Sequence, residues 1–230
     1  MCGRFTLTSP VEAMQRLFGF DERPNLAQRY NIAPTTNIAA VRLAEDETER
    51  KPQYFAAQWG LIPSWAKSPD FAANMINARS ETVKEKPAFR SAFKSRRCLI
   101  PANGFYEWQK LDNGKKQPWL IGVGDLPLFA FAGLWERWQA PEGRIIESCT
   151  ILTTAACESI SFIHPRMPVI LDPANFDAWL RGNAGEELLT AVGADRMSFF
   201  KVSSHVGNVR NDDADLHTPL ESENRQKTLI

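Results

Sequence analysis

The sequence has no run of about 18 apolar residues, and residues 1–20 hold no basic segment followed by an apolar stretch and a small-residue cleavage site. A membrane-spanning helix and a secretion signal are therefore not expected, and a cytoplasmic location is. Cysteine is scarce: Cys2, Cys98, Cys149 and Cys157 are far apart and form none of the close pairs of a zinc site or a redox motif. No metal or other cofactor is expected, and Cys98 and Cys149, inside apolar strand-like runs, read as reduced core residues. Net charge is also lacking, with 27 Lys plus Arg against 27 Asp plus Glu. The whole-chain field thus gives no reason to expect nucleic acid. The distribution differs: from Arg79 to Lys116 ten bases stand against four acids. That stretch is either a phosphate-binding face or a solvated surface that happens to be basic.

What is present is an ordinary globular composition, 43% hydrophobic and 23% charged over 230 residues. "SPVEAMQRLFGF" reads as a short helix capped by Ser9, with Pro10 at its first position and a stop near Gly19. "NIAAVRL" and "QYFAAQW" read as a hairpin around an acidic turn. In "WGLIPSWAKSPDF", Pro63 and Pro69 deny regular structure, so its aromatic residues are either core anchors or a stacking platform. Residues 81–93 suggest a helix broken or started near Pro87. "RRCLIPANGFYEWQK" gives two strands about a turn, and Asn113-Gly114 marks a hairpin into "QPWLIGV". "LFAFAGLWERW", "ESCTILTTAA" and "MSFFKVS" are further strands. "SISFIHPRMPVIL" begins helical and breaks at its prolines. "DPANFDAWLRG" is a helix with Asp172 as cap and Gly182 as stop, and "GEELLTAV" is a shorter one. Strands predominate and mostly adjoin, so the expectation is a single α+β domain on a largely antiparallel, barrel-like sheet with peripheral helices. The domain is expected over 1–216, with a loose polar tail over 217–230.

Few residues stand out chemically. Removal of Met1, general in bacteria before a small residue, would leave Cys2 with a free α-amine beside its thiol. Such a 1,2-aminothiol condenses with an aldehyde to a Schiff base and closes to a thiazolidine; it can also serve as a nucleophile for amide hydrolysis. Cys2 alone is weak evidence, and an inert terminus is the commoner reading. Glu107, between Tyr106 and Trp108, is either a buried proton carrier or an outward strand residue. His164, one of three histidines, is either an acid-base group or a structural hydrogen-bonder. Asn77 and Arg79 in "NARSET" suit an oxyanion or phosphate.

"MCGRF", "RYNIAP" at 29–34, "WGLIPSW" at 59–65, "NARSET" at 77–82, "RRCLIPANGFYEW" at 96–108, "ILTT" at 151–154 and "IHPRMPVIL" at 163–171 occur in order. Together they resemble the SOS-response-associated peptidase (SRAP) family of abasic-site processing proteins, from residue 2 to about 212. Pro165 is a departure, standing where many members carry Asp or Asn.

The resemblance implies a covalent sensor of abasic sites in single-stranded DNA, with Cys2, Asn77, Glu107 and His164 catalytic. Asn77 would orient the Cys2 amine and the sugar, Glu107 would move protons, and His164 would assist ring opening, Schiff-base formation and reversal. Arg4, Asn31, Trp65, Arg79 and Thr153 would line the DNA groove, with Trp65 as a stacking surface. It also implies self-removal of the initiator residue, lyase-like chemistry, and a place in the cytoplasm at the nucleoid. It names no protein partner. Two other classes compete: an N-terminal-nucleophile amidohydrolase acting through Cys2 on glutamine, and a non-catalytic single-strand-binding module.

Overall fold

The computed structural model describes residues 2–45 and 50–220. In chain order the strands are β1 (Phe5–Leu7), β2 (Arg29–Ile32), β3 (Asn37–Leu43), β4 (Pro52–Trp59), β5 (Asn77–Arg79), β6 (Arg97–Ala102), β7 (Gly104–Lys110), β8 (Lys116–Val123), β9 (Phe129–Gln139), β10 (Ile145–Ala155), β11 (Arg166–Pro168), β12 (Ile170–Leu171) and β13 (Met197–Lys201). The α-helices are α1 (Val11–Phe18), α2 (Arg90–Ser95) and α3 (Phe176–Arg181).

The apolar runs pair as expected. β3 and β4 form the antiparallel hairpin, whose acidic turn at 46–49 lies outside the described residues. β7 and β8 join at Asn113-Gly114, where Gly114 takes the positive φ of 78° that such a tight turn requires. Strands β10, β4, β3, β6 and β9 follow one another, and β9 pairs back onto β10, closing a five-stranded barrel. Its pairings are antiparallel except β10 with β4; β5 also joins β10 in parallel. A second sheet runs β13-β8-β7-β1-β2. Asn103, between β6 and β7, therefore marks a crossing from one sheet to the other.

One face of the second sheet packs on the barrel. Phe5 of β1 meets Trp59 at 5.2 Å and Phe131 at 5.7 Å between ring centroids, both edge-on, and all three rings are buried. The opposite face, through Tyr106 and Leu120, is covered by Val202, Val206 and Leu216. This sheet is thus enclosed on both sides, which places its polar residues under burial. Among the described residues, no helix is long and apolar enough to cross a membrane.

The helical expectations need correction at their ends. Pro10, in extended conformation, precedes α1 as its cap and no side chain caps it; the Ser9 hydroxyl accepts from Asn103 Nδ2 at 2.8 Å instead. Residues 80–88 are mostly turns, and α2 starts only at Arg90, past Pro87. Asp172 does not cap either: it pairs with Arg196 at 2.7 Å, and a 3-10 turn over Pro173–Asn175 leads into α3. "GEELLTAV" makes only a 3-10 turn, Glu186–Leu188. At 217–220, read as the start of a loose tail, the His217 ring lies edge-on to Tyr30 at 4.9 Å and Leu220 N–H donates to the Lys201 carbonyl at 2.9 Å. Residues 221–230 lie outside the described residues.

Gly60 joins the barrel to the aromatic loop with φ 132°, and a Cβ there would stand 2.3 Å from the Ala72 carbonyl oxygen. Both the positive φ and the backbone contact exclude a side chain. Gly60→Ala is expected to lower unfolding free energy by about 2 kcal/mol or more, measured by denaturant titration; an unchanged midpoint would contradict the tight contact.

Candidate active site

Cys2 is held beside the first strand rather than left at a loose end. β1 lies between β2 and β7, pairing Phe5 with Ile32 on one side and with Phe105 on the other. Tyr106 N–H donates to the Arg4 carbonyl at 2.9 Å, extending that pairing toward the terminus. The Cys2 thiol turns back onto the same carbonyl at 3.8 Å. From the barrel side, Asn77 Nδ2 on β5 donates to the Cys2 carbonyl at 2.7 Å. Cys2 is fully buried. Met1 lies outside the described residues.

Asn77 also has a buried Oδ1 that accepts no hydrogen bond among the described residues. A buried amide oxygen without a donor is costly, and it belongs to the amide whose NH2 group holds the Cys2 carbonyl. An incoming N–H or O–H would satisfy it.

Glu107 follows Tyr106 on β7 and is 4% exposed. The open alternative for this residue is thereby decided, since both faces of the strand are covered. In the antiparallel pairing it shares a face with Phe105 and so looks toward the barrel and Cys2. Burial raises its pKa above the ordinary carboxylic range, opposed in part by His164. Burial likewise pushes the Cys2 thiol far up, and the Glu107 charge adds to this. The thiol is therefore protonated at neutral pH, and a base is needed to make it a nucleophile.

His164 is half-buried on the turn before β11. Its Nδ1 lies 3.0 Å from the Arg166 backbone nitrogen and 3.1 Å from the Arg166 carbonyl oxygen, so the backbone of Arg166 holds the ring through that nitrogen. Pro165, the departure in this segment, is exposed, and its carbonyl accepts from Ala156 N–H at 2.9 Å, closing the turn that carries the ring.

Arg4 and Asn31 sit together on the other side of β1. Arg4 Nη1 donates to Asn31 Oδ1 at 2.7 Å and to the Val206 carbonyl at 2.9 Å. Asn31, 1% exposed, donates through Nδ2 to the carbonyls of Val206, Asn208 and Asn211. Asp212 accepts from Asn31 N–H at 2.8 Å and Arg29 Nε at 2.7 Å, and from Tyr30 N–H. The 206–212 segment is thus a clamp on the residue two places after Cys2. Asp212 was not singled out in the sequence, where "NDDAD" looks like any polar surface run.

Thr153 is buried on β10 opposite Arg79 of β5. Arg166 Nη2 donates to the Thr153 carbonyl at 2.6 Å while the guanidinium also engages the Glu81 carboxylate. The Arg166 guanidinium joins the "NARSET" segment to the His164 turn, a link that no spacing in the sequence indicates. Arg79 is exposed, and Trp65, 57% exposed, has one ring edge on Phe71 at 5.7 Å. Cys2, Asn77, Glu107 and His164 therefore converge, Arg79 and Thr153 flank them, Arg4 and Asn31 support the terminus from behind, and Trp65 stands on a separate loop.

Part of the basic stretch is spent internally. Arg97 is buried, stacks on Phe93 and Trp179 at 4.5 Å each, and donates to the Phe93 carbonyl at 2.9 Å. Arg96 pairs with Glu136 and Lys84 with Glu186, both at 2.8 Å. Two cavities, about 420 Å³ beside Arg50 and Trp135 and about 260 Å³ beside Leu26 and Tyr54, share no lining residue with the Cys2 cluster. Among the described residues no group of three or more His, Cys, Asp or Glu could hold a metal ion. All four cysteines are free, Cys98 and Cys149 in the core.

If the 206–212 clamp holds the terminus, Asp212→Ala should lower unfolding free energy by about 2 kcal/mol through the donors it strands. It should also speed alkylation of Cys2 by iodoacetamide relative to Cys98. Equal stability and equal labelling in the variant would leave Asp212 a surface residue.

Comparison with known proteins identifies the family and the fold. A family model described as SOS response associated peptidase (SRAP) matches residues 1–209. The abasic site processing protein YoqW of Bacillus subtilis is 41% identical over 224 residues, covering 94% of this chain and 98% of that protein. The abasic site processing protein HMCES of Pongo abelii is 29% identical over 271 residues, covering 96% of this chain and 77% of its own. A solved structure from Bacteroides thetaiotaomicron superposes with a TM-score of 0.84 at 23% identity, covering 95% of this chain and all of that one, which shows the shared fold. A second, from Bordetella bronchiseptica, gives 0.73 at 27% identity over 88% of this chain and all of that one. With its terminal cysteine enclosed by Asn77 and Glu107 and its sequence matched nearly throughout, the chain belongs to the SOS response associated peptidase family.

Proposed function

We propose that the protein, once Met1 is removed, binds single-stranded DNA at an abasic site and forms a covalent thiazolidine link to it through Cys2. The observation that carries this reading is the enclosure of Cys2: a buried thiol under the Asn77 amide and within the field of Glu107. The names of the relatives, abasic site processing proteins, supply the substrate class.

An abasic deoxyribose opens to an aldehyde at C1. The Cys2 amine adds to that carbon, the carbinolamine loses water, and a Schiff base results. The thiol then adds across the imine: sulfur bonds to carbon, and the thiol proton ends on nitrogen. Glu107 is suited to carry protons in both steps, because burial raises its pKa toward the working pH. Asn77 Oδ1 is suited to accept from the amine or the sugar hydroxyl. His164, whose ring is held at Nδ1 by the Arg166 backbone, is suited to act as a second acid-base group for ring opening and reversal. Consumption of the imine removes the species from which strand elimination starts, so the lyase-like route is suppressed while the ring stands. Removal of Met1 by the chain itself fits the same cluster, with Glu107 and His164 handling the proton of the attacking group.

Binding without sequence preference would come from phosphate contacts by Arg79 and the uncommitted bases of the 79–116 stretch, with Trp65 stacking on a base. The zero net charge keeps this attraction local, which suits a protein that must not coat intact DNA.

The decisive experiment is denaturing electrophoresis after incubation with abasic and intact oligonucleotides. A band that survives denaturation is expected only with abasic DNA and only when mass spectrometry shows Met1 absent; an equally strong band from Cys2→Ala would falsify the assignment. Glutamine hydrolysis releasing ammonia, without any crosslink, would favour the amidohydrolase instead.

The pH dependence follows from Glu107. As a base it works only when ionised, so the crosslinking rate should fall as pH drops through its raised pKa. Glu107→Gln should be slower by about 100-fold or more and should lack that acid limb, while affinity for intact single strands stays close to wild type. An acid limb of wild-type shape in the variant would assign it to another group, such as the amine.

A further inference from the structure

Three aromatic rings outside the Cys2 cluster form an open patch beside it. Phe162, on the turn that carries His164, is 50% exposed. It meets Trp119 of β8 edge-on at 5.4 Å, and Phe199 of β13 at 5.9 Å. Trp119 and Phe199 are 5.8 Å apart, both half-buried, and Lys201 Nζ stands 5.6 Å from the Trp119 ring. Trp119 is held from below, its Nε1 donating to Gln109 at 3.1 Å.

Sheet register connects this patch to the site. Trp119 lies directly opposite Glu107 on one side and Lys201 on the other. Directly opposed residues of an antiparallel pair share a face, so Glu107, Trp119 and Lys201 line one surface of the sheet. β10 serves as a ruler for the rest. The Trp65 loop is fastened to it where Ile62 N–H donates to Ser148 Oγ at 2.9 Å, Asn77 pairs at Ile151, and the His164 turn closes where Ala156 N–H meets the Pro165 carbonyl. From Ser148 to Ala156 the strand extends roughly 25 Å at about 3.3 Å per residue. Trp65 and Phe162 are therefore tied to opposite ends, with Cys2 and Asn77 between them.

Resting on the proposed function, we propose that Phe162, with Trp119 and Phe199, is a second stacking platform. It takes the nucleobase that flanks the abasic sugar on the side away from Trp65, with Lys201 on that nucleotide's phosphate. The alternative occupant, an apolar segment of a partner protein, would want the apolar patch without the cation. The lysine over the tryptophan and the continuity with Glu107 favour a base with its phosphate. An abasic site has no base of its own to hold, so the flanking bases are what aromatic side chains can grip.

The test uses single strands with a tetrahydrofuran abasic analogue, which cannot open to an aldehyde, and 2-aminopurine placed in turn on either side of it. Phe162→Ala, a change at an exposed ring, should weaken binding by about fivefold or more and abolish 2-aminopurine quenching on one flank. Trp65→Ala should keep quenching on that flank and lose it on the other. Lys201→Gln should reduce the salt dependence of binding by about one phosphate contact. Equal affinity and equal quenching for Phe162→Ala and wild type at every position would overturn the platform and leave the patch to a protein partner. The two readings fail separately: the stacking assay needs no covalent chemistry, whereas a wild-type protein that cannot crosslink authentic abasic DNA sinks the proposed function even if quenching is intact.

Discussion

The site depends on capture of the chain terminus as an interior strand. A strand of three residues, Phe5–Leu7, would not hold by itself, yet β1 is paired on both edges and its aromatic side chain is wedged between Trp59 and Phe131. That packing puts Arg4 against Tyr106 and so leaves Cys2 at one defined place. The Arg4 side chain, tied to Asn31 and the Val206 carbonyl, prevents the first residues from peeling away. The first residues of a chain normally fray; here two sheets and the 206–212 segment remove that freedom from Cys2.

Burial then sets the chemistry. A thiol and a carboxyl group buried together each resist ionisation, and the Glu107 charge raises the cost for the thiol. Burial thus keeps the thiol protonated, the less reactive of its two forms. Asn77 complements this arrangement: its NH2 group is already used on the Cys2 carbonyl, and its oxygen waits for a donor.

Much of the fold could be read from the sequence because its strands carry strong local signals. The β3–β4 and β7–β8 hairpins have apolar runs and turn residues that specify their pairing without reference to the rest of the chain. Helix ends were less legible, since caps depend on tertiary competition. Ser9 gives its hydroxyl to Asn103, and Asp172 gives its carboxylate to Arg196, so neither does what its position suggests. Glu107 shows the same limit for the site. Alternation alone left it inward or outward, and only the covering of both faces of β7 decides its burial. Arg166 and Asp212 act on segments distant in sequence, Glu81 and residues 29–31, and no spacing rule could have connected them.

The use of basic residues shows how the local charge excess should be understood. Of the bases between Arg79 and Lys116, Arg97 is buried between two aromatic rings, and Arg96 and Lys84 face carboxylates. A count of charges along the sequence therefore overstates the field available to a ligand. Arg79 differs because its backbone is fixed by pairing with β10 while its side chain stays exposed, next to the buried Thr153 and two residues from Asn77. A cation anchored in this way can meet a phosphate at a set distance from Cys2 without attracting DNA along the rest of the surface. Position relative to the captured terminus, more than total charge, would then distinguish an abasic site from an intact strand.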